Sequence, residues 1–494
     1  MQSGRSLFPR YRFLLAVLVS GCGFIRPTES LSRVSYPSFS ESSKSIVSSQ
    51  AVESPPSIRQ ASFQALPLDG PSNDKASEAD ANLFLESKEL SIELLIDQVL
   101  ARNPSLAQMT AAWQAASARY PQVTSLEDPM LGTMVAPVSI GSNNVEFGYR
   151  VEVSQKLPFP GKLDLRGQTA LAEVNAAGHD VDDMRLQLIE SAKNGFYDYF
   201  LVHRALVVNE ESLRLLKEFR RIAQVRYEDV KTAAEQDMFQ ADVEIGRQRQ
   251  RGLILERMRK VTAARLNTLM HLPAESALPP PPEKVSLPDG LPPVDSLRSQ
   301  AVAQRPDLRA LADRVRAEQA SLGLARQEFY PDFEATAAYD TIMGNGPTRD
   351  LAPQLGIRLN LPVRKVRRYG AVAEAQARVA QRQAELNRQT DQVNFQVQEA
   401  YEQVRESEKT VRLYEKTILP AARKNTEAAR SAYESGKIPF LSLVEAQRNL
   451  VELQDRSYEA VADYFRRRAT LERAIGGFGA RTARNWIQAI TPIP

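Results

Sequence analysis

"VEFGYRVEVSQKLPFPGK" occupies Val145 to Lys162. Val145, Phe147, Tyr149, Val151 and Val153 are apolar, and Glu146, Arg150, Glu152, Ser154 and Lys156 between them are polar. A period of two gives a strand one apolar face and one polar face. Yet the next 69 residues, Lys162 to about Val230, read as helix. The fold turns on why a mostly helical chain carries such strands and what their two faces touch.

The pattern recurs. Leu355, Ile357, Leu359 and Leu361 alternate with Gln354, Gly356, Arg358 and Asn360. Each clean strand has a less regular partner before it, Met130 to Val138 and Phe333 to Asp340, across the polar turns "SIGSNN" and "TIMGNGPTRDLA". Polar, Gly-containing turns suit hairpins that end in water.

The chain repeats around these strands. Pro104 and Pro306 are 202 residues apart, Leu157-Pro158 and Leu361-Pro362 204, Tyr227 and Tyr433 206, and Leu266 and Leu471 205. Four landmarks in one order with so little drift mark a long internal duplication. Each half reads as a helix (about Ile92 to Ala118, and Leu297 to Gln327), a strand pair, a long helix, a turn and a returning helix (about Glu235 to Met270, and Phe440 to Ile475). The long helices, Lys162 to Val230 and Arg367 to Ser435, would each extend about 100 Å and need partners along their length. Val393, Val397, Ala400, Val404, Ser407, Val411, Tyr414 and Ile418 step by four and three, a heptad seam for such a partner. Pro420 should disturb this helix locally.

The remaining segments are punctuation. Arg5, Arg10 and Arg12 precede the apolar run Phe13 to Val19, and Ser20-Gly21 lead to Cys22, the one cysteine of the chain. This is a signal peptide, residues 1–21, before a lipobox-like Cys22 acylation site. Gly23 rather than Asp follows it, as in lipoproteins sent to an outer membrane. Residues 22–86 read as a Ser/Pro-rich disordered tether. The first repeat spans 87–271, a Pro-rich linker 272–295, the second repeat 296–476 and a tail 477–494.

Charged residues make up 25% and the net charge is only +3, so no electrostatic footprint for nucleic acid exists. No run of 18 apolar residues marks a spanning helix. His179, His203 and His271 are scattered, without metal-ligand spacing, and no phosphate-binding loop occurs, so no cofactor or enzyme is expected. Met130 and Met134 share a strand face and are read as apolar packing or lipid contact.

Four strands cannot close a barrel. With the apolar face in lipid every backbone group must pair, so several chains must each contribute strands. Two chains give eight strands with a filled interior, and three give twelve with a lumen. A soluble helical protein with two packed hairpins fits the alternation alone, but not the lipobox, the repeat and the helix lengths together.

From Leu90 to Ile475 the chain resembles the TolC family of outer-membrane efflux channels. The resemblance rests on the duplicated plan, the lipobox, "RPDLRAL" (Arg305 to Leu311), "LPFPGKLDLRG" (Leu157 to Gly167) and "AYESGKIPFLSLVEAQRNL" (Ala432 to Leu450). It implies a mainly α fold with a small membrane β part. Long helical hairpins form a periplasmic tunnel, and four strands per chain join a trimeric 12-stranded barrel. It also implies a homotrimer in outer-membrane lipid that meets a periplasmic adaptor and an inner-membrane pump, as in tripartite efflux or type I secretion. Pro-Phe-Pro-Gly-Lys resembles the heavy-metal efflux branch and leaves the cargo open. Glu146, Arg150, Glu152 and Arg358 would face the lumen. Tyr227, Tyr433 and Gly436 would form the adaptor-docking tips. In the family, acidic residues six and nine positions beyond the tip glycine ring the narrow end; the matching positions are Ser442 and Glu445, so one carboxylate is missing. The first repeat departs further, with Val230 where the glycine would stand. A periplasmic adaptor lipoprotein and a structural coiled-coil envelope lipoprotein are the alternatives. The first would have a single hairpin between β-rich domains, and the second has no use for alternating strands.

Overall fold

The computed structural model describes residues 88–136, 147–230, 235–288, 290–343 and 353–477. The expected signal peptide, Cys22, the expected tether, Glu146, most of both strand turns and residues 478–494 lie outside the described residues.

The alternating segments pair as strands. β1 (Met130–Ala136), β2 (Phe147–Leu157), β3 (Phe333–Met343) and β4 (Gln354–Leu359) form one antiparallel sheet in that order. The row Met130, Ser154, Thr336, Gly356 runs straight across it. This register puts even-numbered residues of all four strands on one face and odd-numbered residues on the other. Arg150, Glu152, Glu334, Asp340 and Arg358 share the even face; Val151, Val153, Tyr339, Leu355 and Ile357 share the odd face. Met130 and Met134 fall on the even face and are 60% and 71% exposed. Lipid or core packing was the expectation for them; the register instead groups them with Arg150 and Glu152, because β1 alternates poorly.

Two helices precede each strand pair where one was expected. α1 (Ile92–Arg102) and α2 (Pro104–Thr124) precede β1; α5 (Val294–Gln304) and α6 (Pro306–Gln327) precede β3. The breaks are at Asn103 and Arg305, whose ψ angles of 123° and 126° are extended. A proline disfavours helical backbone in the residue before it, and is itself welcome at the first helical position. Both breaks are lashed to the far end of a returning helix. Asn103 Nδ2 donates to Leu269 O at 2.9 Å, and Arg305 Nη1 donates to Ala474 O at 3.3 Å. Different side chains make the same bond in the two halves.

After β2, α3 (Lys162–Val225) runs 64 residues and ends in a π turn, Arg226–Val230. It returns as α4 (Glu235–Leu269). After β4, α7 (Lys365–Leu413), a π turn (Tyr414–Ile418) and α8 (Leu419–Glu434) form the second descent, and α9 (Phe440–Ala474) returns. The disturbance expected of Pro420 is this π turn. Proline has no N–H and its ring crowds the carbonyl four residues back. Widening the preceding turn, with Leu419 N bonded to Tyr414 O, makes room. Val393, Val397, Ala400, Val404, Ser407 and Val411 of the heptad seam are buried, and Tyr414 and Ile418 half-buried. α9 lies against both α7 and α3, and the main core gathers where these three helices meet α1 and the linker.

Arg305 also grips Asp307 through two bonds, at 2.9 and 2.7 Å, and Gln396 at 2.8 Å. Burial pushes the Asp307 carboxyl up, but the Arg305 hydrogen bonds and charge outweigh it and hold the group below the usual carboxylate range. A depressed acid contributes stability above its ordinary pKa and loses it as pH falls through the folded value. Arg305→Ala is therefore expected to cost about 2 kcal/mol at pH 7. It should also flatten the acid side of the stability curve below about pH 4. Thermal unfolding followed by circular dichroism from pH 7 to pH 3 checks both; an unchanged acid limb would rule out the pair as a stabilising contact.

Candidate functional site at the sheet and the helical tip

The even face of the sheet is a lattice of charges. Arg150 lies 3.1 Å from Glu152 and 3.6 Å from Asp340. Arg358 lies 2.5 Å from Glu152 and 3.7 Å from Glu334. Two guanidiniums thus share three carboxylates across β2, β3 and β4. Arg150, Glu152 and Arg358 are brought together as one group. The odd face holds no such charges and exposes Leu355 at 87% and Ile357 at 75%.

At the other end, residues flanking the first hairpin turn, Arg226 and Asp237, meet the second turn. "AYESGK" ends α8 in a Schellman motif: Gly436 N donates to Tyr433 O at 2.9 Å and Lys437 N to Ala432 O at 2.8 Å. Gly436 has φ +75°, which favours glycine, and a Cβ there would lie 3.2 Å from Arg226 Nη2. The spacing therefore fixes Tyr433 three residues before this glycine, in the last turn of α8, 1% exposed.

Tyr433 joins the two halves. Its hydroxyl donates to Asp237 of α4 at 3.0 Å, and its carbonyl accepts from Arg226 Nη1 at 2.6 Å. The Arg226 guanidinium lies 4.6 Å from its ring centre, and the Phe440 ring packs edge-on at 5.3 Å. Burial and then the Asp237 charge push the Tyr433 hydroxyl well above its usual pKa, so it stays a donor. Leu216, Phe219, Ala223, Ala241, Ile245, Leu443 and Val444 close an apolar cluster around it. Ion pairs flank the clasp. Arg430 reaches Glu218 at 2.6 Å, Arg448 Nε reaches Glu244 at 2.9 Å, and Arg251 pairs with Asp455. Glu244 is buried; burial raises its pKa, but Arg448 and Arg247 more than offset this and leave it below the usual range.

Tyr227 does not share this environment. It is 41% exposed, and its neighbour Arg226 makes the contacts. Ser442 is half-buried and Glu445 exposed. With Asn425, Ala428, Ala432 and Asn449 they line a shallow cleft of about 490 Å³ between α8 and α9. Sequence reading missed Arg226 and Asp237. Arg226 adjoins the landmark tyrosine, but nothing in its own neighbourhood signals a partner 207 residues away.

Among the described residues no group of His, Cys, Asp and Glu suits a metal ion, and no helix is long and apolar enough to cross a membrane. The latter has no bearing on strands.

The second half, residues 297–477, matches the family described as outer membrane efflux protein. No curated protein sequence matches the chain. Three solved structures resemble it closely in fold. The outer-membrane channel OprN is 19% identical, with 80% of this chain and 92% of that one covered and a TM-score of 0.67. CusC, described in transmembrane channel formation, is 17% identical, covering 79% and 93% at 0.66. The outer membrane protein VceC of Vibrio cholerae is 19% identical, covering 80% and 98% at 0.66. By sequence the second half matches the outer membrane efflux protein family, and by fold the described chain resembles these solved structures.

Proposed function

We propose that this chain is one subunit of an outer-membrane efflux channel, a passive conduit from periplasm to exterior with no catalysis of its own. The observation that carries this reading is the sheet. It has a charged face, an apolar face and an edge strand at each side, set on helical hairpins about 100 Å long. Three copies supply twelve strands and a water-filled lumen. The odd face then meets lipid, and the even face, with Arg150, Glu152 and Arg358, lines the lumen. Residues 87–271 are a diverged copy of the domain at 296–476. Cys22, acylated, tethers each subunit to the membrane.

The clasped tips are the periplasmic end. Helix ends leave carbonyls and amides unpaired, which suits them to a docking adaptor backed by an inner-membrane pump. The small-residue cleft beside Ser442 and Glu445 offers a helix close approach, and Glu445 in three copies is a ring of like charge at the narrow end. The Tyr433–Asp237–Arg226 clasp holds the second hairpin against the first and restrains opening. An adaptor would need one hairpin only, and a coiled-coil spacer would need no two-faced sheet. Cargo is left open.

Native mass spectrometry in detergent is expected to give three copies, and planar bilayers to show discrete conductance steps. Val151→Arg should block assembly, since an arginine at a lipid-facing midplane costs about 2–4 kcal/mol. Arg150→Val should assemble and alter conductance. A detergent-free monomer, or equal tolerance of both changes, overturns the reading.

Tyr433→Phe keeps the ring under Arg226 but loses the bond to Asp237, worth about 1 kcal/mol. Larger or more frequent openings are expected in single-channel records, with trimer content unchanged. Identical records would exclude the clasp as a restraint on the pore.

Cys22 is expected to take up a radiolabelled fatty acid in a lipoprotein-processing host. Cys22→Ser should lose the label while channels still form.

A further inference from the structure

We propose that where neighbouring copies meet, Lys365 and its adjacent arginines at the β4 edge of one copy engage Glu127 and Asp128 at the β1 edge of the next. The inference rests on the channel reading above and adds the residues that decide which edges pair.

Within one chain the halves join at β2 and β3, and α3 packs on α6. The base of this junction is a tight knot. Lys162, in the first turn of α3 and 1% exposed, lies 2.8 Å from Asp332 and 3.6 Å from Glu328 and donates to Tyr330 O at 3.4 Å. Phe159 stacks on Tyr330 at 4.7 Å. A lysine that opens the long helix of one half thus grips carboxylates that lead into the first strand of the next half.

The two outer edges of the sheet carry comparable charges on open surface. Among the described residues β4 pairs only with β3, and β1 only with β2. Lys365 opens α7 as Lys162 opens α3, 203 residues on. Arg364, Lys365 and Arg367 are exposed and make no ion pair among the described residues. Beside them Val366 and Tyr369 stand 87% and 62% exposed. At the opposite edge, Glu127 and Asp128 lead into β1 as Asp332 leads into β3. Both are exposed; the Glu127 carboxylate pairs with Lys156 at 3.2 Å on open surface, while its carbonyl accepts from Gln155 Nε2 at 2.6 Å. The straight row from Met130 to Gly356 means that the acidic and basic segments leave the same end of the sheet.

One edge is therefore basic at its base and the other acidic. Two basic edges repel, as do two acidic ones, so the charges select β4 against β1 of the next copy and penalise like edges. That contact is head to tail, the kind that closes into a ring when the rotation permits. The repeat offsets also set its register. Val153 pairs with Ala337 inside the chain; moved by 204 and 202 residues, the pair becomes Ile357 opposite the next copy's Val135. Both stay on the apolar face.

The test reverses charge on each edge. One variant carries Arg364→Glu, Lys365→Glu and Arg367→Glu; another carries Glu127→Lys and Asp128→Lys; a third combines both sets. Native mass spectrometry at low salt should show trimer reduced at least tenfold, as an order of magnitude, in either single set and restored in the combination. On a Cys22→Ser background, Ile357→Cys with Val135→Cys should give oxidised trimers on a denaturing gel. A wild-type trimer whose single sets assemble normally, or whose combined set assembles no better than either, overturns the clamp and leaves the channel reading intact. A wild type that forms no trimer overturns both.

Discussion

A backbone N–H or C=O removed from water must find a partner, and the outer edges of β1 and β4 have none within the described chain. This constraint organises the rest of the molecule. A sheet with one apolar face gains by leaving water, and each open edge forbids it to leave alone. On the channel reading proposed above, strands from further copies complete a ring and reconcile the two demands. The four-stranded sheet is then a fraction of a structure, and the helices beneath share the same incompleteness. α9 packs on both long helices, α3 and α7, whereas α4 lies almost wholly on α3. The opposite side of α4 exposes Phe239, Val243, Leu253 and Val261 at roughly heptad spacing.

Helices of this length hold together through periodic contact rather than a single globular core. The valines at the α7 seam are fully buried, and burying each contributes roughly 1.5–3 kcal/mol. The seam ends at Ile418, where one π turn makes room for Pro420. At the breaks before Pro104 and Pro306 the chain changes direction instead, and a side-chain bond to a distant carbonyl stabilises each corner.

Much of this was legible in the sequence because it is written in period. Alternation marked β2 and β4, heptads marked α7, and the landmarks near 204 residues marked the duplication; each is a local rhythm tied to one geometry. Tyr433 and Gly436 were legible because the spacing builds a helix cap. What stayed hidden depends on pairing across distance. The lattice of Arg150, Glu152 and Arg358 needs the sheet register, and β1 was too irregular to place Met130 and Met134 on the charged face. Arg226 and Asp237 acquire meaning only once the two tips meet. Tyr227 and Tyr433 match in place, yet a matching residue does not have a matching neighbour when the other half differs.

That difference between the halves is itself required by packing. Glu244 meets Arg448 and Arg251 meets Asp455, each pair 204 residues apart. The repeat offset at the end of these helices is 205, so the partners are nearly equivalent positions on α4 and α9. Two identical helices running side by side would bring like charge against like, Glu facing Glu and Arg facing Arg. A duplicated chain that packs copy against copy gains attraction along this contact only after its halves diverge in sign. Both halves keep a proline corner and a strand pair. At the tip they differ in kind, and Tyr433 of one half is held by Arg226 and Asp237 of the other. There the halves are no longer interchangeable: one carries the capped turn and the other supplies its restraint.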